Sequence, residues 1–253
     1  MMGFVPGIHD VFEALSEDFQ LDDLGTFIEI RSTSFDGNVK LIKLNSGSNI
    51  RLSNEPTAHR EYLIWEDQWH RNPLVVASRI KALMGKSERI HARECQVVEM
   101  DAEKFYAFLA TNHLSEKVKV KHRFGLRKND QIVAVAGFSR ACPYHRDGAV
   151  YQSSEMVRFC NLAGTTVVGG LSKLVKHAIR QMEFQDIMTY VDLDWGDGKA
   201  YAKLGFRETG YLPAPDIFVN LNNWERQRNQ PADSPFALVA GKGSLKLNLT
   251  IHE

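Results

Sequence analysis

Apolar residues recur along this chain at two spacings, and the changes from one to the other divide it. Ile8 to Phe19 (IHDVFEALSEDF) sets Val11, Phe12, Leu15 and Phe19 three and four residues apart, the period of a helix with one buried face. The segments TFIEIRS, VKLIKL and EYLIWEDQW then alternate or cluster apolar residues between Gly, Asn and Ser, which predicts a small strand-rich unit over Gly25 to Trp69. Asn72-Pro73 interrupts the chain. Leu74 to Met84 (LVVASRIKALM) returns to helical spacing and stops at Gly85, as a connector helix would.

From Ala92 the pattern is regular. A strand (RECQVVEM) precedes a helix opened by Asp101 as N-cap, with Phe105, Phe108 and Leu109 on one face. HRFGLRK and QIVAVAGFSR form the arms of a hairpin turning at Asn129-Asp130. The strand AVYQSSEMVRF follows, then a Gly-containing loop and an amphipathic helix. In that helix Leu171, Leu174, Val175, Ala178, Ile179 and Met182 face one way and Lys173, Lys176 and Arg180 the other. A strand (IMTYVDL), a short helix (GKAYAKLGF) and a closing pair (RETGY, DIFVNL) complete the order β-α-β-β-β-α-β-α-β-β. The polar stretch NNWERQRNQPADSP reads as a linker and SLKLNLTI as an edge strand. The expected segments are residues 1–72, 73–91, 92–221 and 222–253.

Charge narrows the function. Lys plus Arg total 31 and Asp plus Glu total 31, so no overall basic field gathers nucleic acid, and any such contact is local. Cys95, Cys142 and Cys160 are far apart, with neither disulfide-framework nor zinc spacing, which points to a reducing compartment. No secretory leader and no window of ~18 uninterrupted apolar residues stands out, so the expectation is a soluble cytoplasmic protein without membrane contact.

The candidate chemistry begins at TTVVGGLSKLVKHAI, where glycines precede a helix that carries hydroxyls and bases in its first turns. Such a helix start binds phosphate through free backbone N–H groups and the positive end of its dipole. Lys173 and Lys176 would add ionic contacts. Together with the strand EMVRF before it, the strand IMTYV after it and the segment AYAKLGF at Ala200 to Phe206, this stretch resembles the GNAT acyltransferase superfamily over about Ala92 to Asn220. The resemblance implies an α+β fold, a GNAT-like mixed sheet flanked by helices with the small strand-rich region before it. It also implies acetyl-CoA, or another acyl-CoA, bound where two parallel strands part. By that resemblance Val157, Arg158 and Phe159 offer backbone groups to the pantetheine arm. Thr166, Val167, Val168, Gly169, Gly170 and Leu171 cradle the pyrophosphate, and Ser172 and Lys173 begin the helix.

The superfamily loop reads R/Q-x-x-G-x-G/A, and anchoring it on SKL puts Thr166, Gly169 and Leu171 at its marked positions. Only Gly169 matches. A leucine in place of Gly or Ala narrows the backbone approach, unless the loop shifts register to use Gly170. The phrases FLATNHL, RFCN, VVGGLSKL and YVDLDWGDGKAYAKLGF also resemble a set of phage and mobile-element proteins with a GNAT-like C-terminal half. Against some of these, Gly25 to Trp69 looks like a shrunken, inactive remnant of a nuclease-like module.

Acyl transfer from a thioester needs a neutral amine, a polarised carbonyl and a proton for the departing thiolate. Tyr201 stands where the superfamily's Tyr approaches the sulfur, and a reference pKa of about 10 keeps it protonated at neutral pH. Glu155, at the start of the fourth strand, is the candidate base, against the alternative of a surface carboxylate paired with Arg158 or Lys173. Asp192 and Asp194, two apart at a strand end, are the alternative base or a site for a cationic substrate. No further ligand joins them to make a metal site. His113 and His145 are read as structural or solvated, and Cys160 as core. Tyr62, Trp65, Trp69 and His70 beside Arg60, Arg71 and Arg79 either stack nucleotides or form a strand core with a charged rim.

Three functions follow. One is an acyl-CoA-dependent N-acyltransferase acting on a small-molecule or nucleotide amine. Another is a GNAT-fold binding protein without activity. The last modifies a nucleotide or nucleic-acid base in a phage or mobile-element system.

Overall fold

The structure, a computed structural model, describes residues 3–251 except 16–17, 34–36, 56–58, 116–117, 147 and 233. In chain order it begins with α1 (Phe4–Ala14), β1 (Phe19–Asp23), β2 (Phe27–Ser32), β3 (Asn38–Ile42), β4 (Asn49–Arg51), β5 (Glu61–Trp65), α2 (Glu66–Arg71) and α3 (Pro73–Leu83). Then come β6 (Glu88–His91), a 3-10 turn (Ala92–Glu94), β7 (Gln96–Glu99), α4 (Ala102–Asn112), β8 (His122–Lys128), β9 (Gln131–Phe138), β10 (Cys142–Arg146) and β11 (Ala149–Asn161). The chain continues through β12 (Thr165–Val168), α5 (Gly170–Gln181), β13 (Asp186–Asp192), α6 (Lys199–Ala202), β14 (Arg207–Leu212), β15 (Ile217–Asn220), β16 (Arg226–Gln227), β17 (Phe236–Ala240) and β18 (Ser244–Thr250). No helix among the described residues is long and apolar enough to cross a membrane.

The chain packs into two compact units that do not follow the expected linear segments. The first takes Met1–Lys86, Asp192–Asp197 and Tyr211–Leu245; the second takes Ser87–Val191, Gly198–Gly210 and Lys246–Glu253.

In the first unit one sheet runs β1-β2-β3-β5 and another β16-β15-β17-β4. Ile42, Leu44, Trp65, Val219, Ala237 and Val239 form a shared core. Four sequence expectations change here. The first helix starts at Phe4 and ends at Ala14, and Phe19 opens β1 instead of closing that helix. EYLIWEDQW is strand only through Trp65; Glu66 and Asp67 then open a helix that His70 and Arg71 close, a charge order that suits the helix dipole. The polar stretch around Arg226 is structural, because Arg226 pairs bidentately with the buried Asp67 at 2.6 and 3.0 Å. DIFVNL joins β16 and β17, so it does not close a pair with RETGY.

The second unit is built on a sheet ordered β14-β18-β13-β11-β9-β8-β7, with β10 also on β11. Its hairpin turns where expected: Asn129 and Asp130 have φ of 47° and 65°, the left-handed pair that suits the twist of a two-residue loop. Asp101 caps α4 by accepting from the Lys104 N–H at 2.8 Å. Phe105 and Leu109 pack from that helix against Val135 and Cys160 of the sheet. Leu174, Val175 and Ala178 bury one face of α5. SLKLNLTI is no edge strand, since β18 lies between β14 and β13. Two backbone bonds in the same register, Ile251 N–H to Gln185 O at 2.9 Å and Leu193 N–H to Gly243 O at 3.0 Å, run it antiparallel to β13.

An internal strand cannot be removed without stranding its neighbours. Deleting residues 244–253 should therefore lower the melting temperature by more than about 10 °C, a loss of several kcal/mol at this size. An edge strand would leave the transition nearly in place, and circular dichroism on heating separates the two.

Candidate active site on the second unit

β11 is long, and its two edges are used differently. On one edge β10 and β9 follow it nearly to its end. On the other, β13 pairs with it in parallel only at Ser153–Asp186, Ser154–Ile187 and Glu155–Met188. The Thr189 hydroxyl donates to the Met156 carbonyl at 2.9 Å, and there the two strands part. A bulge marks the same place, for Met156 faces Phe138 while Arg158 faces Gly137, leaving Val157 as the extra residue. Among the described residues β9 is the one strand paired with residues 158–161, in a register that turns the Phe159 and Asn161 backbone groups to the edge β13 has left, which suits an extended chain bearing amides. One carbonyl on it is taken, because Arg158 Nη1 donates to Val157 O at 2.8 Å.

Glu155 sits at this parting. Its N–H donates to Ser139 Oγ and its carbonyl accepts from Ser139 N–H, both at 2.9 Å, so the backbone on either side of its side chain is fixed. Burial pushes the Glu155 carboxyl above the ordinary carboxylate range, and the charges of Arg158 and Lys246 draw it back down. Of the two cations expected as alternatives, Arg158 acts on Glu155, whereas Lys173 is bonded to the carbonyls of Ala92 and Cys95.

Tyr201 lies on α6, whose N-cap Gly198 is left-handed at φ 75°. The ring meets Phe206 edge-on at 5.6 Å between centroids, and Gly205 brings this segment close to Leu249 of β18. Burial raises the Tyr201 hydroxyl to about 12. That hydroxyl has no hydrogen bond from the described residues.

The phosphate-loop region differs from its expected form. Thr166, Val167 and Val168 are strand, paired in parallel with Arg89, Ile90 and His91, and Thr166 Oγ1 lies 2.6 Å from Ser87 Oγ. What stays available is the start of α5. Gly169 is its N-cap at φ 78° with no side-chain cap, and the first helical bond runs from Lys173 N–H to Gly169 O at 3.0 Å. The N–H groups of Gly170, Leu171 and Ser172 therefore have no acceptor within the helix. A Cβ on Gly170 would lie 3.0 Å from Val167 Cγ1, so close packing against the strand calls for glycine there. Lys173 is spent elsewhere: its ammonium donates to the carbonyls of Ala92 at 2.9 Å and Cys95 at 2.5 Å, bracing the 3-10 turn. The ionic contact expected from it is corrected accordingly, and Lys176 remains exposed.

Asp192 belongs to the first unit, apart from the unit that holds Glu155 and Tyr201. It does not share a strand face with Asp194, because the strand ends at Asp192 and a turn follows, with Gly196 N–H on Asp192 O at 2.8 Å. Asp194 is buried and fully occupied, accepting from Trp65 Nε1 and from Lys242 N–H, both at 2.8 Å. Crowding by protein and the nearby Asp194 charge raise Asp192 to about 6, although water still reaches its carboxyl. Among the described residues the one group of three potential metal ligands is His9, Asp10 and Glu13 on α1. Cys160 is core, its thiol donating to Asn112 O at 3.0 Å. Trp65 and Trp69 are buried, and His70 stacks on Trp224 at 4.2 Å.

Ser139, which bonds the Glu155 backbone, and Lys246, whose charge acts on its carboxyl, carry no motif in the sequence. The alternation of SLKLNLTI put Lys246 on a polar face, and only the strand order reveals what that face meets.

No family model matches the sequence, and no curated protein is similar to it. Among solved structures, an acetyltransferase from Bacillus subtilis in complex with CoA is 13% identical over 62% of this chain and 99% of that one, with a TM-score of 0.42. An IAA acetyltransferase from Bacillus cereus is 12% identical over 62% and 99%, with a TM-score of 0.41. Arabidopsis thaliana Naa50 in complex with a bisubstrate analogue is 13% identical over 62% and 99%, at 0.39. The class to which the second unit conforms is set by its own topology. It is an α+β unit with a mixed sheet flanked by helices, as the resemblance to GNAT acyltransferases implied.

Two outcomes follow. Lys173→Met should destabilise the protein by about 1–3 kcal/mol, since two carbonyls lose a charged donor, and chemical denaturation measures it. For Asp192 the folded value lies above the ordinary one of about 3.9, so its contribution to stability is present at low pH and lost as pH rises through about 6. Asp192→Asn should therefore melt above the parent at pH 8, with that advantage shrinking toward pH 4.

Proposed function

We propose that the chain is an acyl-CoA-dependent N-acyltransferase that moves an acyl group, in the first instance acetyl, onto an amine. The observation that carries this reading is the parting of β11 from β13 directly after Glu155. It leaves the Phe159 and Asn161 backbone groups on an open edge for the amides of a pantetheine arm. The uncapped N–H groups of Gly170, Leu171 and Ser172 suit the pyrophosphate. A cytoplasmic location accords with the three free cysteines.

In this reading Glu155 takes one proton from the acceptor ammonium. Burial suits it to the task, since a carboxylate with a raised pKa is the better base near neutral pH. The neutral nitrogen attacks the thioester carbonyl; the C–N bond forms and the C–S bond breaks. A second nitrogen proton ends on sulfur by way of Tyr201, whose hydroxyl gives its own and regains that one. With its pKa near 12, Tyr201 is a neutral donor throughout the working range. The third proton stays on the amide.

Acetyl-CoA at about a hundredfold over its Kd should add about 2.7 kcal/mol, some 5–10 °C in melting temperature. Thiol release with a panel of small amines then tests turnover. Glu155→Gln and Tyr201→Phe should each lower kcat by about 10²–10⁴ without abolishing binding of acetyl-CoA. The parent rate should rise with pH through the Glu155 titration, which lies above the ordinary glutamate value. One observation favours binding without catalysis, namely that Lys173 is engaged and Thr166–Val168 is strand, which leaves fewer phosphate contacts. That reading predicts no shift with acetyl-CoA and a salt-sensitive shift with an oligonucleotide.

A further inference from the structure

One face of the second unit's sheet is unusually polar, and its register brings the polar groups together. Met188 is Glu155's partner in the parallel pair, and Tyr190 lies two residues further along the same face of β13. The two backbone bonds that fix β18 against β13 set Lys246 directly across from Tyr190, on that face. β10 adds a flank, with Tyr144 opposite Tyr151 of β11. There Lys246 Nζ donates to the Tyr144 hydroxyl and lies 4.3 Å from the centre of its ring, so the ammonium is held at two points on one tyrosine. Further along the face a rigid anchor fixes the strands. Asp186, wholly buried, accepts from Ser153 Oγ at 2.7 Å and Asn248 Nδ2 at 2.9 Å and pairs with Arg146 at 2.9 Å.

A half-buried carboxylate needs a nearby cation to stay charged. The groups around Glu155 are few. Arg158 lies on its own strand, Lys246 comes from β18 and Ser139 offers a hydroxyl at the end of β9. β13 presents Met188 and Tyr190, while the Asp186 charge is matched by Arg146. Arg158 is itself drawn into the sheet, donating to Val157 O, and burial lowers its own pKa.

We infer that Lys246 is a positioning residue for the proposed reaction: its ammonium, tethered to Tyr144 on the sheet face that carries Glu155, favours the carboxylate form of Glu155 that accepts the acceptor's proton. This rests on the acyltransferase reading for its purpose, though not for its physics. The Lys246 charge is among the causes that lower the Glu155 carboxyl against the effect of burial.

The test is a pH titration of the full chain labelled with ¹³C at the Glu side-chain carboxyl, with the Glu155 resonance identified by its loss in Glu155→Gln. Lys246→Met should raise the Glu155 midpoint by about one unit, and Lys246→Arg should restore it. The acid limb of kcat/KM should move by the same amount, which a role in folding alone would not produce. If Lys246→Met does not fold, Tyr144→Phe keeps the charge but unties it, and should move the midpoint upward by a smaller step. An unchanged midpoint in a folded Lys246→Met chain, or in Tyr144→Phe where Lys246→Met fails to fold, overturns the inference. A midpoint that moves while no amine is acetylated by the parent chain supports the pairing and counts against the acyltransferase reading instead.

Discussion

The chain's candidate chemistry depends on one strand pair that stops early. A parallel pair can continue only while both backbones keep step, and here β11 gains a residue at Val157 just past its third paired position with β13. Everything proposed for the second unit hangs on that extra residue. It turns Glu155 from an ordinary mid-sheet carboxylate into one at the mouth of a gap. It leaves the Phe159 and Asn161 backbone groups on an edge that β13 does not cover.

The surroundings make the gap stable without closing it. Thr189 donates to Met156 O and Ser139 bonds Glu155's backbone from the other side, so the strands are pinned up to the parting. On opposite faces of the sheet, α4 buries Phe105 and Leu109 and α5 buries Leu174 and Val175. The buried Asp186 cluster with Ser153, Asn248 and Arg146 ties β11, β13, β18 and β10 together at the end where they do pair. A buried charge of this kind is stabilising only while each partner is present, which makes the cluster a rigid reference for the open end.

Much of this was legible in the sequence because it is local. Asp101 as a cap, Asn129-Asp130 as a turn and the apolar stripe of α5 follow from side chains acting on their own backbone or on neighbours three and four away. The strand, helix and loop order around Glu155 and Tyr201 was readable for the same reason. What escaped depends on distant partners. A strand's place in a sheet is not encoded in its own alternation, so SLKLNLTI looked like an edge. Arg226 looked like part of a linker until Asp67, far back in the chain, supplied its partner. Lys173 carried the right charge for a phosphate, and only the fold shows that Ala92 and Cys95 hold it. Asp192 and Asp194 looked equivalent by spacing, and the turn after Asp192 separates them.

The central claim is that the open edge and the helix start together receive one acyl-CoA. Amide hydrogen exchange with and without acetyl-CoA tests it most directly, because N–H groups that lack acceptors should gain them. The account predicts slowed exchange at Phe159 and Asn161, whose N–H groups face the edge that β13 leaves, and at Gly170, Leu171 and Ser172. Unchanged exchange at both places under saturating acetyl-CoA would contradict it.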